Sequence, residues 1–237
     1  MEPSIHRIRL LASNCYLIRQ EGAVLVDAGM KGGAAAILRA LKRIGIPPTE
    51  LRLILLTHGH MDHAGGSAEL RRLTGAPVGL HAADAQWLRS GQEAPAPPVT
   101  AWARMISRLL TSRWIRSRTV MEAFSPDILL GDQELSLREF GVSGRIVPTP
   151  GHTAGSISVL LEDGRALVGD LAMNGLPASP FKPGAPIVAQ DLTALMESWR
   201  MICERGARTI YPGHGAPFPA QAMSGVKDWP NKMSVIS

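Results

Sequence analysis

The sequence has little cysteine and no long apolar run. Cys15 and Cys203 are its only cysteines, so the fold can depend on one disulfide at most. Both lie in apolar or amphipathic stretches, which predicts buried free thiols. No apolar stretch approaches the roughly 20 residues that cross a bilayer, which predicts no membrane contact. The first residues lack the charged start and apolar stretch of a secretory signal, so we expect a cytoplasmic location.

The chain is also poor in aromatic residues, which make up 5% of it. The net charge is +5 and the pI is near 9.7, but basic residues are not interleaved with aromatic ones as in proteins that bind single strands. We therefore predict no nucleic-acid partner. The excess charge is typical of solvated helix faces, with attraction of an anionic small substrate as the alternative. It is densest at Arg104, Arg108, Arg113, Arg116 and Arg118.

Length and composition predict one globular domain over residues 1–237, since 45% of the residues are hydrophobic and 19% are charged. Apolar periodicity and turn residues predict strands that alternate with helices. Two β-rich layers with helices outside them would bury strands of this kind on both faces. The predicted strands are 5–11, 15–19, 23–27, 53–57, 77–81, 134–139, 144–149, 156–161, 165–168 and 208–211, and the predicted helices are 34–44, 67–73, 82–90 and 192–204.

An inserted helical segment at about 92–125 separates the two strand-rich halves. Residues 92–100 are rich in Pro and Ala, which predicts an irregular loop. Apolar residues from Trp102 to Trp114 then recur at helical intervals. This helix over about 101–116 either packs on the domain, covers a site as a lid, or forms a dimer contact. The protein is accordingly expected to be a monomer or a homodimer.

The histidines are concentrated where the apolar strands end. Of seven in the chain, three lie with an aspartate in the run His58-Gly59-His60-Met61-Asp62-His63. His152 and His214 each follow a Pro-Gly pair, and Asp170 follows Val168-Gly169. Histidine is the commonest protein metal ligand, because its neutral ring offers a free lone pair. The pattern predicts a metal site.

The spacing within the first run has a geometric consequence. Residues two apart in an extended segment point the same way, so His58 and His60 can converge on one ion. The chain then bends, and Asp62 and His63 can face a second position beside the first. Four ligands from one turn are too few for two ions, so the others must come from elsewhere.

The four motifs together resemble those of the metallo-β-lactamase superfamily: His58-x-His60-x-Asp62-His63, Pro150-Gly151-His152-Thr153, Gly169-Asp170 and Gly213-His214-Gly215. The resemblance implies an α+β fold, a four-layer αββα sandwich with a metal pair at one edge of its sheets. It implies that His58, His60 and His152 hold one ion, that Asp62, His63 and His214 hold the other, and that Asp170 bridges them. Nitrogen and oxygen ligands without thiolate suit two Zn²⁺ per chain, with iron or manganese as alternatives.

The resemblance further implies a hydrolase that attacks a small-molecule substrate with a metal-bridging hydroxide. Asp62 would be the catalytic residue, accepting the proton of the nucleophile and passing it to the leaving group. Asp27 resembles a common family position and is expected to support the ligands without being one. Asp170 is typical of glyoxalase II and acyl-homoserine lactonases and not of the β-lactamases, which favours an ester, thioester or lactone as the substrate.

The chain also departs from both of those branches. Leu171-Ala172-Met173 follows Asp170 where glyoxalase II and persulfide dioxygenases have a Gly-Cys-Gly-Arg-like stretch, and only 23 residues follow His214, too few for a glutathione-binding domain. Lactonases often have an assisting tyrosine a few residues past this aspartate, and here the tyrosines are Tyr16 and Tyr211. Three alternatives therefore stay open: a mononuclear iron enzyme like the persulfide dioxygenases, a β-lactam hydrolase, and a binding protein that retains the fold.

Overall fold

The computed structural model describes residues 2–99, 104–105, 121–175 and 179–223, with the side chains of 179–182 left aside. Most of the inserted segment at 92–125 lies outside these residues. So do the helix predicted over 101–116, apart from residues 104–105, and four of the five arginines at 104–118. The division of the chain into domains therefore stays a prediction.

The first sheet has six strands in the order of the chain. Its first three strands pair antiparallel, and the next three pairings are parallel. The carboxyl ends of β3, β4 and β5 therefore meet at one edge. The strands are β1 (Ser4–Arg9), β2 (Asn14–Arg19), β3 (Ala23–Val26), β4 (Leu51–Leu55), β5 (Val78–His81) and β6 (Ile128–Leu130).

The second sheet has the order β13-β12-β10-β9-β8-β7, and β11 pairs with β10 beside that path. Only β10 and β12 run parallel to each other, so their carboxyl ends share an edge. The strands are β7 (Leu135–Ser136), β8 (Gly144–Pro148), β9 (Ile157–Leu161), β10 (Arg165–Gly175), β11 (Ser179–Gly184), β12 (Thr209–Gly215) and β13 (Phe218–Pro219).

Five α-helices occur in the described part of the chain. Just before the last of these helices (α5, Leu192–Glu204), the side chain of Asp191 accepts a hydrogen bond from the Ala194 N–H at 3.0 Å, a contact that favours helix initiation there. No helix in this part of the chain meets the length and apolarity needed for a membrane span. The helices are α1 (Ala34–Ile44), α2 (Met61–Ala64), α3 (Ser67–Thr74), α4 (Ala85–Ser90) and α5 (Leu192–Glu204).

Three apolar clusters show how the layers stack. Alternate residues of β4 divide between two of them: Leu53 and Leu55 pack between the sheets, whereas Ile54 packs against α1 and α3. The third cluster joins the second sheet to α5 through Leu195, Trp199 and Ile202. Helix, sheet, sheet and helix follow one another, which confirms the predicted αββα sandwich.

The structure also corrects several expectations. The helices predicted over 34–44 and 192–204 have the observed bounds, but β6, β11 and β13 were not predicted. Asp170 lies inside β10 and His214 inside β12, whereas the sequence placed both after strands. Cys15 is buried and free as predicted, but Cys203 is exposed, because it lies on the outer side of the last turn of α5.

The contact between the sheets makes a stability prediction. Leu167 of β10 is fully buried between them, whereas Leu129 of β6 is 51% exposed. Leu167→Ala should lower the free energy of unfolding by about 2–5 kcal/mol through lost burial and a residual cavity. Leu129→Ala should change it by less than about 0.5 kcal/mol. Urea denaturation measures both, and equal losses would contradict the proposed packing.

Candidate metal centre

Four of the seven predicted site residues lie in one short stretch after β4. His58 and His60 follow the strand, and His60 keeps an extended backbone with φ −78° and ψ 149°. The chain then enters α2, whose first turn carries Asp62 and whose last turn carries His63. The change from extended chain to helix at residue 61 makes the two pairs face different ways, as the spacing predicts.

The other three residues come from the second sheet. His152 follows β8, and His214 lies in β12 beside Met173 of β10. Asp170 sits where the pairing of β10 with β12 shifts register, after Gly169 at φ 51°. A side chain at Gly213 would lie 2.4 Å from Asp170 Oδ1 and 2.5 Å from His63 Cε1. Glycine there lets the backbone of β12 pass against the centre.

The seven side chains meet at the edge of the two sheets. His58, His60 and His152 form a first group with ring centroids 4.6 to 4.8 Å apart. Asp62, His63 and His214 form a second group, and Asp170 lies beside both. The first group is buried, whereas the side chains of Asp62 and His214 are 23% and 13% exposed. Two members of the second group are therefore partly exposed to solvent, whereas His63 is buried.

Hydrogen bonds fix the protons of the first group. His60 Nε2 donates to the carbonyl of Ala94 at 3.0 Å, and His152 Nδ1 donates to the carbonyl of Val188 at 2.8 Å. Each carbonyl can only accept, so the lone pairs of the neutral rings lie on His60 Nδ1 and His152 Nε2. These two atoms are 2.8 Å apart. Two facing lone pairs repel unless a cation or a proton lies between them.

His58 completes the first group in the same way. Thr57 Oγ1 donates to Asp27 Oδ1 at 2.9 Å and so accepts from His58 Nδ1, 3.0 Å away. The lone pair of His58 is then on Nε2, a buried atom with no hydrogen-bond partner in the described structure. Three imidazole lone pairs converge on one buried point, and this donor set fits a metal ion such as Zn²⁺.

Asp27 supports both groups. Its Oδ2 accepts from His63 Nδ1 at 2.8 Å, and its Oδ1 orients His58 through Thr57. Asp27 has φ 65°, the only positive φ of a non-glycine residue in the described chain. This unfavourable backbone conformation aims its carboxylate at the ligands, in agreement with the supporting position predicted for it.

The second group is a close cluster of opposite charges. His214 Nε2 lies 3.2 Å from both Asp62 Oδ2 and Asp170 Oδ2, and 3.3 Å from His63 Nε2. His63 Nε2 lies 3.3 Å from Asp170 Oδ1. Asp170 Oδ1 is buried without a hydrogen bond in the described structure. Carboxylate and imidazole atoms at these separations also fit a metal position, with Asp170 shared between the two groups.

The two groups differ in the charge they carry without metal. Burial holds the pKa of His58 well below its ordinary value, and burial together with nearby His60 lowers the pKa of His152 to about 3. Burial alone would lower the pKa of His214 too, but Asp170 and Asp62 outweigh it and raise that pKa to about 10. His58 and His152 are therefore neutral and ready to bind a cation, whereas His214 holds a proton.

Sequence reasoning missed the residues that hold the ligand-bearing turns. Tyr16 Oη and Asn14 Nδ2 donate to the carbonyl of Pro212 at 2.7 and 3.0 Å, and Asn14 also reaches the carbonyl of Gly215 at 2.8 Å. Strand β2 thereby fixes the turn of His214. Asp84 makes a comparable link between the turns at Gly59 and Thr153. Asn14 and Tyr16 are two apart in a strand and so share a face, which is the only sequence signal of this role.

The αββα layers and a cluster of five histidines and two aspartates at the sheet edge define a protein built to hold metal. The metallo-beta-lactamase superfamily model matches residues 8–214. The chain belongs to this superfamily.

Individual relatives support a metal-dependent hydrolase. A probable metallo-hydrolase of Methanocaldococcus jannaschii is 28% identical over 204 residues, covering 86% of this chain and 88% of that protein. A hydroxyacylglutathione hydrolase of Anaeromyxobacter dehalogenans is 35% identical over 158 residues, 65% of this chain, and the match spans only 44% of that protein. The crystal structure of the B3 metallo-beta-lactamase BLEG-1 superimposes with a TM-score of 0.67 at 26% identity, covering 94% and 97% of the two chains.

The raised pKa of His214 predicts a pH dependence of the metal-free protein. Protonated His214 contributes stability that is present below pH 6.5 and is lost as the pH rises through about 10. The melting temperature of chelator-treated protein should fall over that range by calorimetry. Added zinc replaces the proton and should reduce this dependence. His214→Asn is the control, and an equal slope in that variant would contradict the assignment.

The contact of β2 with the His214 turn gives a second prediction. Tyr16→Phe leaves Asn14 as the remaining side-chain donor to Pro212 and should lower the free energy of unfolding by about 1 kcal/mol. It should also weaken metal binding at the second group, measured as zinc affinity by chelator competition. Unchanged zinc affinity with the expected loss of stability would show that Tyr16 supports the fold alone.

Proposed function

We propose that the protein is a binuclear metal-dependent hydrolase that cleaves a small ester, thioester or lactone. The observation that carries this proposal is the convergence of unshared lone pairs: His60 Nδ1 and His152 Nε2 lie 2.8 Å apart beside the unpartnered Nε2 of His58. His58, His60 and His152 would hold the first ion, Asp62, His63 and His214 the second, and Asp170 both. Zinc suits this ligand set, with iron or manganese as alternatives.

When bound, such a metal pair supplies a nucleophile at neutral pH and an electrophile for a carbonyl oxygen. The residues supply the rest. Asp62 is the partly exposed carboxylate of the centre, so it is placed to accept a proton from an attacking water and to deliver it to a leaving group. Asp27 fixes His63 and, through Thr57, His58. Burial of the first group excludes bulk water from the inner side of the centre.

The choice of bond rests on Asp170 and on the relatives. An aspartate at position 170, proposed as the bridge, is the feature by which the sequence resembles glyoxalase II and the acyl-homoserine lactonases. The name of the Anaeromyxobacter relative denotes hydrolysis of an acylated glutathione, which supports a thioester among the three bonds. Similarity to BLEG-1 keeps β-lactams in the test. The proposed substrate is a small molecule.

A substrate panel run with metal analysis tests the proposal. Lactones, thioesters, aryl esters, β-lactams and phosphodiesters are assayed with protein of measured zinc, iron and manganese content. We expect two zinc ions per chain and hydrolysis confined to the first three substrate classes. One iron per chain with oxygen consumption would support the dioxygenase alternative. Turnover of β-lactams would support the alternative of a β-lactam hydrolase.

His60→Ala is the matched variant for this panel. It removes one ligand and should abolish hydrolysis, because the first ion loses one of its three imidazoles. Circular dichroism should still report a folded protein, since the mutation leaves all three apolar clusters intact. Hydrolysis at the wild-type rate in this variant would overturn the assignment of the first metal position.

A further inference from the structure

Asp84 is a buried carboxylate that no motif marks. It follows β5 and is 1% exposed. The structure records no ion pair to it within the described part of the chain. A charge buried without a cationic partner is costly, so its surroundings must offset the loss of water. The hydrogen-bond donors around Asp84 indicate the role of its carboxylate.

The carboxylate of Asp84 joins the two turns that carry the first group of ligands. Oδ2 accepts from the N–H of Gly59, the residue between His58 and His60, at 2.8 Å. Oδ2 also accepts from Thr153 Oγ1 at 2.7 Å, and Oδ1 accepts from the N–H of Gly155 at 3.0 Å. Thr153 follows His152 directly. One side chain therefore spans the turn from the first sheet and the turn from the second.

Support of its own helix does not explain Asp84. It occupies the position before α4, where an aspartate often accepts a hydrogen bond from the first turn of a helix. Here its side chain makes no such bond. A side chain at Gly155 would lie 2.6 Å from Asp84 Cγ, so the second turn approaches the carboxylate as closely as glycine allows. Glycine at position 155 has no side chain and so permits this contact.

The distribution of carboxylates around the two groups also supports a role for Asp84 at the first group. Asp62 belongs to the second group, and Asp27 contacts His63 of that group directly. The first group consists of three imidazoles, and its nearest carboxylate contact is His152 Nε2 to Asp170 Oδ2 at 3.7 Å. Asp84 adds a buried negative charge behind the turns of this group, where it favours a bound cation.

We propose that Asp84 is a positioning residue that sets the separation of the turns bearing His58, His60 and His152, and so the affinity and geometry of the first metal position. This inference rests on the proposed metal centre. Among the described residues, the hydrogen bonds of Asp84 go to the N–H groups of Gly59 and Gly155 and to Thr153, not to the ligand side chains, so it acts through the backbone and through Thr153. Outer contacts of this kind typically change metal affinity by about 10- to 100-fold.

Asp84→Asn tests the inference with little change of shape. The amide keeps one accepting oxygen and places an N–H₂ against the N–H of Gly155 or against that of Gly59. We expect one of two zinc ions to bind at least about 10-fold more weakly in chelator competition. In the cobalt-substituted protein, the visible absorption of the His-rich position should shift. Both readouts are independent of hydrolysis.

Two variants of Thr153 and a control elsewhere keep the test decisive if Asp84→Asn does not fold. Thr153→Val removes one of the three donors and should weaken the same zinc ion by a smaller factor, whereas Thr153→Ser keeps the hydroxyl and should restore wild-type affinity. Thr74→Val is the matched control, because it removes a buried hydroxyl that donates to the carbonyl of Leu70 at 2.8 Å, away from the two turns. It should lower stability and leave both zinc affinities unchanged.

Unchanged zinc affinities and cobalt absorption in folded Asp84→Asn would overturn the inference. An equal loss of affinity in Thr74→Val would overturn it as well, because the effect would then follow general stability. Wild-type protein that binds two zinc ions but hydrolyses nothing in the panel would refute the proposed function and leave the role of Asp84 to be decided by affinity. Wild-type protein that binds no metal would refute both.

Discussion

The convergence of unshared imidazole lone pairs is the constraint on which the rest of the structure depends. His60 Nδ1 and His152 Nε2 face each other at 2.8 Å in a buried place, and the two histidines come from different sheets. Such an arrangement is unfavourable in a buried place, so it persists only if the fold holds it and a cation or a proton lies between the two nitrogens. The carbonyls of Ala94 and Val188 accept the N–H of the other nitrogen of each ring, so the two lone pairs must face each other.

The sandwich provides the means to hold this arrangement. Three apolar clusters fix the sheets against each other and against their helices, so strand ends from both halves meet at one edge. Few side chains then connect the ligand-bearing segments across that edge: Tyr16 and Asn14 to the His214 turn, Asp27 to His63 and Thr57, and Asp84 to the turns of residues 59 and 153–155. The buried carboxylates among them also supply negative charge near the proposed metal positions.

The predictable features are those with a local signal. The bounds of α1 are predictable because its apolar residues recur at helical intervals and Pro47-Pro48 follows, and α5 has the bounds that the sequence predicts. The run from His58 to His63 is local too, since extended chain followed by a helix start determines which way each ligand points. The short strands β6, β11 and β13 were missed because two or three apolar residues, or a Pro-rich stretch, carry no period. Asp170 was misplaced because a register shift against β12 depends on a neighbour distant in sequence.

The sequence by itself determined the superfamily, the layer architecture and the seven side chains that converge, because ligand type and spacing are properties of short segments. Only the tertiary structure decided how those side chains are oriented and charged. Proton positions on His58, His60 and His152 depend on acceptors that approach from other segments. Burial lowers the pKa of His58 and His152, whereas at His214 the carboxylates of Asp170 and Asp62 outweigh burial and raise the pKa. Asp84 illustrates the difference most clearly. Its position before a short helix is typical of a residue that caps the helix. Only the packing of the two sheets places its carboxylate between two ligand-bearing turns.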